Sequence, residues 1–89
     1  MKAIVTVLGK DKVGIIADVA MLMKENGINI CDISQTLMQD YFTMIMLVDI
    51  SGNKTDFVSI QAKLAACGKT LGVDIRMQHQ DLFDSMHKI

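Results

Sequence analysis

The sequence predicts an α+β sandwich in which a four-stranded antiparallel sheet carries two helices on one face. Three features point to it. Apolar residues switch between a spacing of two and a spacing near 3.6, in the order strand, helix, strand, strand, helix, strand. Glycines punctuate the changes of period, at Gly9 and Gly14, at Gly27 and at Gly72. The run that begins at Tyr41 is apolar on both faces, which assigns it to the middle of a sheet.

Residues 2–8 alternate, with Ala3, Val5 and Val7 on one face and Ile4, Thr6 and Leu8 on the other, and form the first strand. A tight turn between Gly9 and Gly14 leads into a helix over residues 13–26, whose inner stripe is Ile16, Val19, Ala20 and Met23. Asn26 and Gly27 end it, the glycine taking the left-handed position. Residues 28–38 alternate again, Ile28 and Ile30 on one face and Cys31, Ile33 and Leu37 on the other, and a turn at Gln39 and Asp40 follows. The third strand spans residues 41–50 and is expected to be covered on both sides. Asn53 or Thr55 is placed to cap the second helix, whose stripe is Phe57, Ile60, Leu64, Cys67 and Leu71, with Gly72 beyond its end. Gly68, inside that helix, predicts close packing on another backbone. The fourth strand, residues 73–79, turns Val73, Ile75 and Met77 inward. A terminal helix over residues 80–89, capped by Asp81, presents Leu82, Phe83, Met86 and Ile89 and must dock on something apolar. Two split strand-helix-strand units in this order make the ferredoxin-like βαββαβ sandwich, a single domain with a core over residues 2–79. Its helix-free sheet face needs a cover, from the terminal helix, a partner sheet, or both.

At 89 residues the chain holds one domain, of modest stability on its own. The apolar share is 51% with 4% aromatic, so eight methionines must fill the core by flexible packing. Two cysteines make no disulfide framework, so extra burial is expected from pairing with a second chain, a homodimer. The formal net charge is −1 with scattered basic residues, which argues against nucleic acid or an anionic membrane as partner. No run approaches the ~18 apolar residues of a spanning helix, and no signal peptide pattern opens the chain, so the expected location is the cytoplasm.

The fold hosts many functions, so each must be argued from its own residues. Gly9 and Gly14 have the glycine spacing of a phosphate loop, but Ile15 and Ile16 stand where lysine and a hydroxyl would hold phosphate and magnesium. RNA-binding sheets stack bases on aligned aromatics, whereas Tyr41 and Phe42 are adjacent and face opposite ways. His79, His87, Asp81 and Asp84 match no metal-ligand spacing, and no metal or other cofactor is implied. Cys67 falls on an apolar stripe. Cys31, placed near the opening loop, is a small buried hydrophobe or a reactive thiol. No carboxylate pair or Ser-His-Asp set can be assembled, so the chain reads as a binding module and not an enzyme. The free amides and dipole of the first helix make the turn before it an anion cradle.

The run Val7-Leu8-Gly9-Lys10-Asp11-Lys12-Val13-Gly14-Ile15-Ile16-Ala17-Asp18-Val19-Ala20, followed by Lys24-Glu25-Asn26-Gly27-Ile28-Asn29-Ile30 and Ile33, resembles the ACT domain, a ferredoxin-like regulatory module that commonly binds amino acids. The resemblance covers nearly the whole chain, and length and terminal helix resemble small free-standing members related to glycine-cleavage repressors. Lys12 and Val13 stand where many members have arginine and proline. The resemblance implies a ligand between the first loop of one subunit and the second strand of its neighbour. It makes Gly9, Lys10, Asp11, Lys12, Val13, Gly14 and Ile15 one half of a site and Asn29, Ile30 and Cys31 the other. Amides near Val13, Gly14 and Ile15 would take a carboxylate. Asp11 would take the ammonium or cap the helix. Asn29 would read the ligand across the interface or be satisfied by water. The rival expectation is a ligand-free subunit that docks on a larger protein partner.

Overall fold

The computed structural model describes residues 1–10, 13–51 and 56–86. Its elements are β1 (Lys2–Lys10), α1 (Ile15–Glu25), β2 (Asn29–Met38), β3 (Tyr41–Asp49), α2 (Phe57–Leu71), β4 (Val73–His79) and α3 (Gln80–Met86). The strands form one antiparallel sheet in the order β2-β3-β1-β4. This is the βαββαβ sandwich with its short terminal helix.

The core lies between the sheet and the two long helices. β1 supplies Ala3, Val5 and Val7, β3 supplies Phe42, Met44, Met46 and Val48, and β4 supplies Val73, Ile75 and Met77. From above, α1 buries Ile15, Val19 and Met23, and α2 buries Ile60 and Leu64. The α1 stripe keeps Val19 and Met23 from the sequence expectation but begins at Ile15, because Ile16 is exposed and Ala20 is only half-buried. Four buried thioethers fill the space that rings would fill in a more aromatic core.

Two glycines expected in turns or close contacts separate into distinct roles. Gly9 lies within β1, not in the turn, opposite Phe42 and Val73. A Cβ there would lie 2.7 Å from Val73 Cγ1, so the residue permits a close approach of strands. Gly68 does the same for a helix: its missing Cβ would sit 2.6 Å from the Val73 carbonyl oxygen, the packing on another backbone that its position predicted. Gly27 and Gly72 take the left-handed conformation past α1 and α2, with φ of 69° and 74°.

β2 departs most from expectation. An extra residue at Cys31 interrupts its pairing with β3, so that Ile30 lies opposite Val48 but Asp32 opposite Leu47. This bulge reverses the alternation: Ile33 and Leu37, opposite Met46 and Phe42, share the helix-facing side with Ile30 instead of opposing it. The cap of α2 is Asp56, whose Oδ1 accepts from Ser59 N at 3.0 Å, because its extended backbone directs the carboxylate back over the first turn. Asn53 and Thr55 lie outside the described residues. Asp81 lies inside α3 and does not cap it. α3 packs against β1 and β4, yet Leu82 is exposed. The second face of β3 is not covered as expected: Tyr41 and Ile45 are open, as is Leu8 beside them on β1.

Candidate functional site

The start of α1 has an unusual cap. Gly14 occupies the N-cap with φ 95° and ψ −2°, left-handed, and no side chain caps the helix. The residue needs to be glycine for its torsion alone, since nothing lies within 4 Å of where a Cβ would be. The first helical hydrogen bond runs from Asp18 N to Gly14 O at 2.9 Å. The amides of Ile15, Ile16 and Ala17 thus precede the helical ladder, at the positive end of the dipole. They border a cavity of about 230 Å³ lined by Gly14, Ile15, Ile16, Ala17, Gln35, Leu37 and Phe42. No side chain in that lining carries a charge. An anionic group at the amides with an uncharged remainder in the cavity fits this environment.

Of the residues expected here, Gly14 and Ile15 line the cavity and Val13 stands wholly exposed at its approach. Lys10 closes β1 opposite Tyr41, and Gly9 lies within that strand. Asp11 and Lys12 lie outside the described residues. Five lining residues were absent from the sequence expectation: Ile16, Ala17, Gln35, Leu37 and Phe42. The signal for Gln35 and Leu37 is the spacing of Ile30 and Ile33, three apart, which puts both on one face only if an extra residue intervenes.

Asn29, Ile30 and Cys31 lie elsewhere. Asn29 and Ile30 line a second recess of about 480 Å³ at the other end of α1, with Ala20, Met23, Lys24, Gly27 and Ile28. Cys31 is exposed, not buried, and not close to the opening loop. Its Sγ accepts from Lys2 Nζ at 3.7 Å and from Asn29 Nδ2 at 3.9 Å. Lys2 begins the strand that Lys10 ends, so the length of the sheet separates Cys31 from the turn. A single subunit therefore does not bring the two predicted halves together.

The remaining titratable groups do not extend the site. Burial, then the Asp18 carboxylate, pushes the Cys67 thiol above its usual value, which keeps it protonated on the inner side of α2. His79 stacks on Phe57, ring centroids 4.1 Å apart, and serves packing. Among the described residues, no three His, Cys, Asp or Glu side chains gather as metal ligands would. No helix among them is long and apolar enough to cross a membrane.

The ACT domain family model matches residues 2–78. A UPF0237 protein of Clostridium acetobutylicum is 54% identical over 89 residues, covering 100% of both chains. Among solved structures, an ACT domain protein from Streptococcus pneumoniae superposes with a TM-score of 0.81 at 48% identity, covering 94% of each chain. A candidate glycine cleavage system transcriptional repressor superposes with a TM-score of 0.75 at 25% identity, over 86% of this chain and 44% of that one.

Proposed function

The chain belongs to the ACT domain family, and on that premise we propose that it is a cytoplasmic, non-catalytic regulator that binds a small amino acid at the boundary of a homodimer. ACT domains in general support regulation by small ligands. The observation that carries the finer reading is the left-handed, uncapped Gly14 beside a 230 Å³ cavity of uncharged lining. An amino acid's carboxylate would accept from the amides of the first α1 turn, and its side chain would enter the cavity. Two charge-assisted bonds of about 1.5–3 kcal/mol each, with burial of a small side chain, correspond to a Kd between millimolar and micromolar. The cavity lining holds no carboxylate for the ammonium; the Gln35 side-chain oxygen would accept from it, and Asn29 of a second copy would supply a further acceptor. Regulation follows if the ligand binds one arrangement of the dimer more tightly than another.

Isothermal titration against the twenty amino acids tests this reading. At least one neutral amino acid should bind with a submillimolar Kd. Gly14→Leu should abolish that binding, because a Cβ at φ 95° costs about 1–2 kcal/mol and displaces the amides. Absence of binding across the set removes the ligand-sensor reading. The second reading, a ligand-free interaction subunit, is favoured by the open apolar side chains Leu8, Tyr41 and Ile45 on the helix-free face, and a blank titration would leave it standing.

A further inference from the structure

α1 and α2 run side by side over the sheet in opposite directions, so Asp18, near the start of α1, shares a cavity with Leu71 at the end of α2. At the other end Asn26, past α1, accepts from Lys63 Nζ at 3.1 Å. Between the helices lies a trough made of two cavities, of about 490 and 330 Å³, that share Leu22, Glu25, Cys67 and Thr70. Asp18, Met21, Glu25, Ala66 and Thr70 are exposed along it while the other sides of both helices are buried, so it opens away from the sheet. Its α1 wall is ordered. Asp18, Met21 with Leu22, and Glu25 stand at i, i+3 with i+4, and i+7, one stripe two turns long with a carboxylate at each end. The ion pairs among the described residues are Met1 with Asp49 and Arg76 with Asp74, so neither carboxylate of the trough is paired there. The Asp18 charge also reaches the floor, where after burial it is the second cause that raises the Cys67 thiol. Lys63 is the one cation in the lining, held at the Glu25 end by Asn26, whose own Nδ2 donates to Leu22 O at 2.8 Å.

We propose that this trough docks one basic amphipathic helix of a different protein. The helix sets two lysine or arginine side chains, seven residues apart, on Asp18 and Glu25, and an apolar side chain between them on Met21 and Leu22. The spacing is the argument for a helix: the two carboxylates lie about 10.5 Å apart along α1, which two turns of a second helix reproduce. Both walls are helices whose backbone groups are bonded within them, so an extended segment would find no ladder to join. Met21, 55% exposed, offers a thioether that adapts to the shape of what it meets. On the opposite wall Ala66 and Thr70 are small, and the Thr70 hydroxyl is already given to Ala66 O at 3.1 Å, which leaves room for a third helix. Charge complementarity sets the sign of the occupant and rules against a second copy of this chain. Among the described residues, no helix presents two basic side chains seven apart. Lys63 shields Glu25 and leaves Asp18 as the stronger anchor. The trough lies on the helix layer, apart from the cavity at Gly14 and from the helix-free face, so the inference does not depend on an amino acid binding.

A designed helix tests this without a natural partner in hand. The probe is a fluorescein-labelled, alanine-based peptide of about 18 residues, stapled on its far face to hold it helical. It carries two lysines seven apart, with leucines three and four residues after the first. A control peptide has glutamate at both lysine positions. Fluorescence anisotropy with the full chain should show the lysine peptide binding at least about tenfold more tightly than the control, and less tightly as salt rises from about 50 to about 500 mM. Asp18→Asn with Glu25→Gln should remove that preference while circular dichroism stays unchanged, and Asp18→Asn alone should cost more than Glu25→Gln alone. Amide chemical-shift changes on adding the lysine peptide should centre on Met21, Leu22, Cys67 and Thr70. No binding of the lysine peptide overturns the proposal, as does equal binding of the two peptides or a preference that survives the double variant. Shift changes confined to the helix-free face overturn it as well. Spermidine binding as tightly as the lysine peptide would show a site for cations that makes no use of the apolar floor, and would overturn it in favour of a small polyamine.

Discussion

The two edges of the sheet are finished differently. β4 is short, its outward residues Asp74 and Arg76 form an ion pair at 2.9 Å, and it passes directly into α3. It is also held from two sides, by β1 through Gly9 and by α2 through Gly68, both approaching Val73 more closely than any side chain would allow. β2 has none of this. It is longer, uncharged past Asp32, and exposed from Cys31 onward. Within one sandwich, then, the edge nearer both chain-terminal elements is closed by charge and tight packing, and the edge beside the α1 turn is left able to pair.

Breaking the closed edge should cost the fold itself. Gly68→Val places a Cβ 2.6 Å from the Val73 oxygen and should destabilise the domain by about 3 kcal/mol, read as a fall in the urea midpoint. An unchanged midpoint would show that the α2–β4 contact is dispensable. A smaller effect is expected at Asp49, which pairs with Asn29 where the open edge begins. The Ser51 side chain and amide, then the N-terminal ammonium and Lys2, hold its carboxyl below the usual aspartate value of 3.8. A depressed folded pKa gives stability that is present above the unfolded value and lost as pH falls through the folded one. The wild type should therefore exceed Asp49→Asn in stability at pH 6, and the gap should close as pH falls below about 4. A gap that persists at pH 2 would show that the charge is not its source. The least effect belongs to Arg76→Ser, which removes an exposed ion pair and should shift stability by less than about 0.5 kcal/mol. A larger loss in the same urea titration would mean that β4 depends on its charges for folding as well as for its isolation.

Much of this architecture is legible from local chemistry. Gly14, Gly27 and Gly72 sit where the period changes, and each has the positive φ that a turn or cap demands. The α2 stripe follows from spacing, and Gly68 was readable because glycine inside a helix needs a reason. What escaped the sequence depends on partners distant along the chain. Gly9 resembles a loop residue until Val73 is placed against it. Asp56 competes with Asn53 and Thr55 for one cap, and only the path of the backbone decides. The bulge at Cys31 hid the helix-facing side of β2, and with it Gln35, Leu37 and Phe42 as cavity lining. For the site, the tight turn at Gly14 that leaves the first α1 amides uncapped was legible. The separation of Cys31 from it was not, because proximity across a sheet depends on register and not on sequence order.

The extra residue at Cys31 also divides β2 into two parts that face opposite ends of α1. Both pair with β3, but Asn29 and Ile30 line the recess at the end of α1, whereas Gln35 and Leu37 line the cavity at its start. A change in the helix layer that tilts the first part can be absorbed at the bulge without turning the second. The strand acts as a jointed element, so the recess at its start and the uninterrupted run beyond it can shift separately.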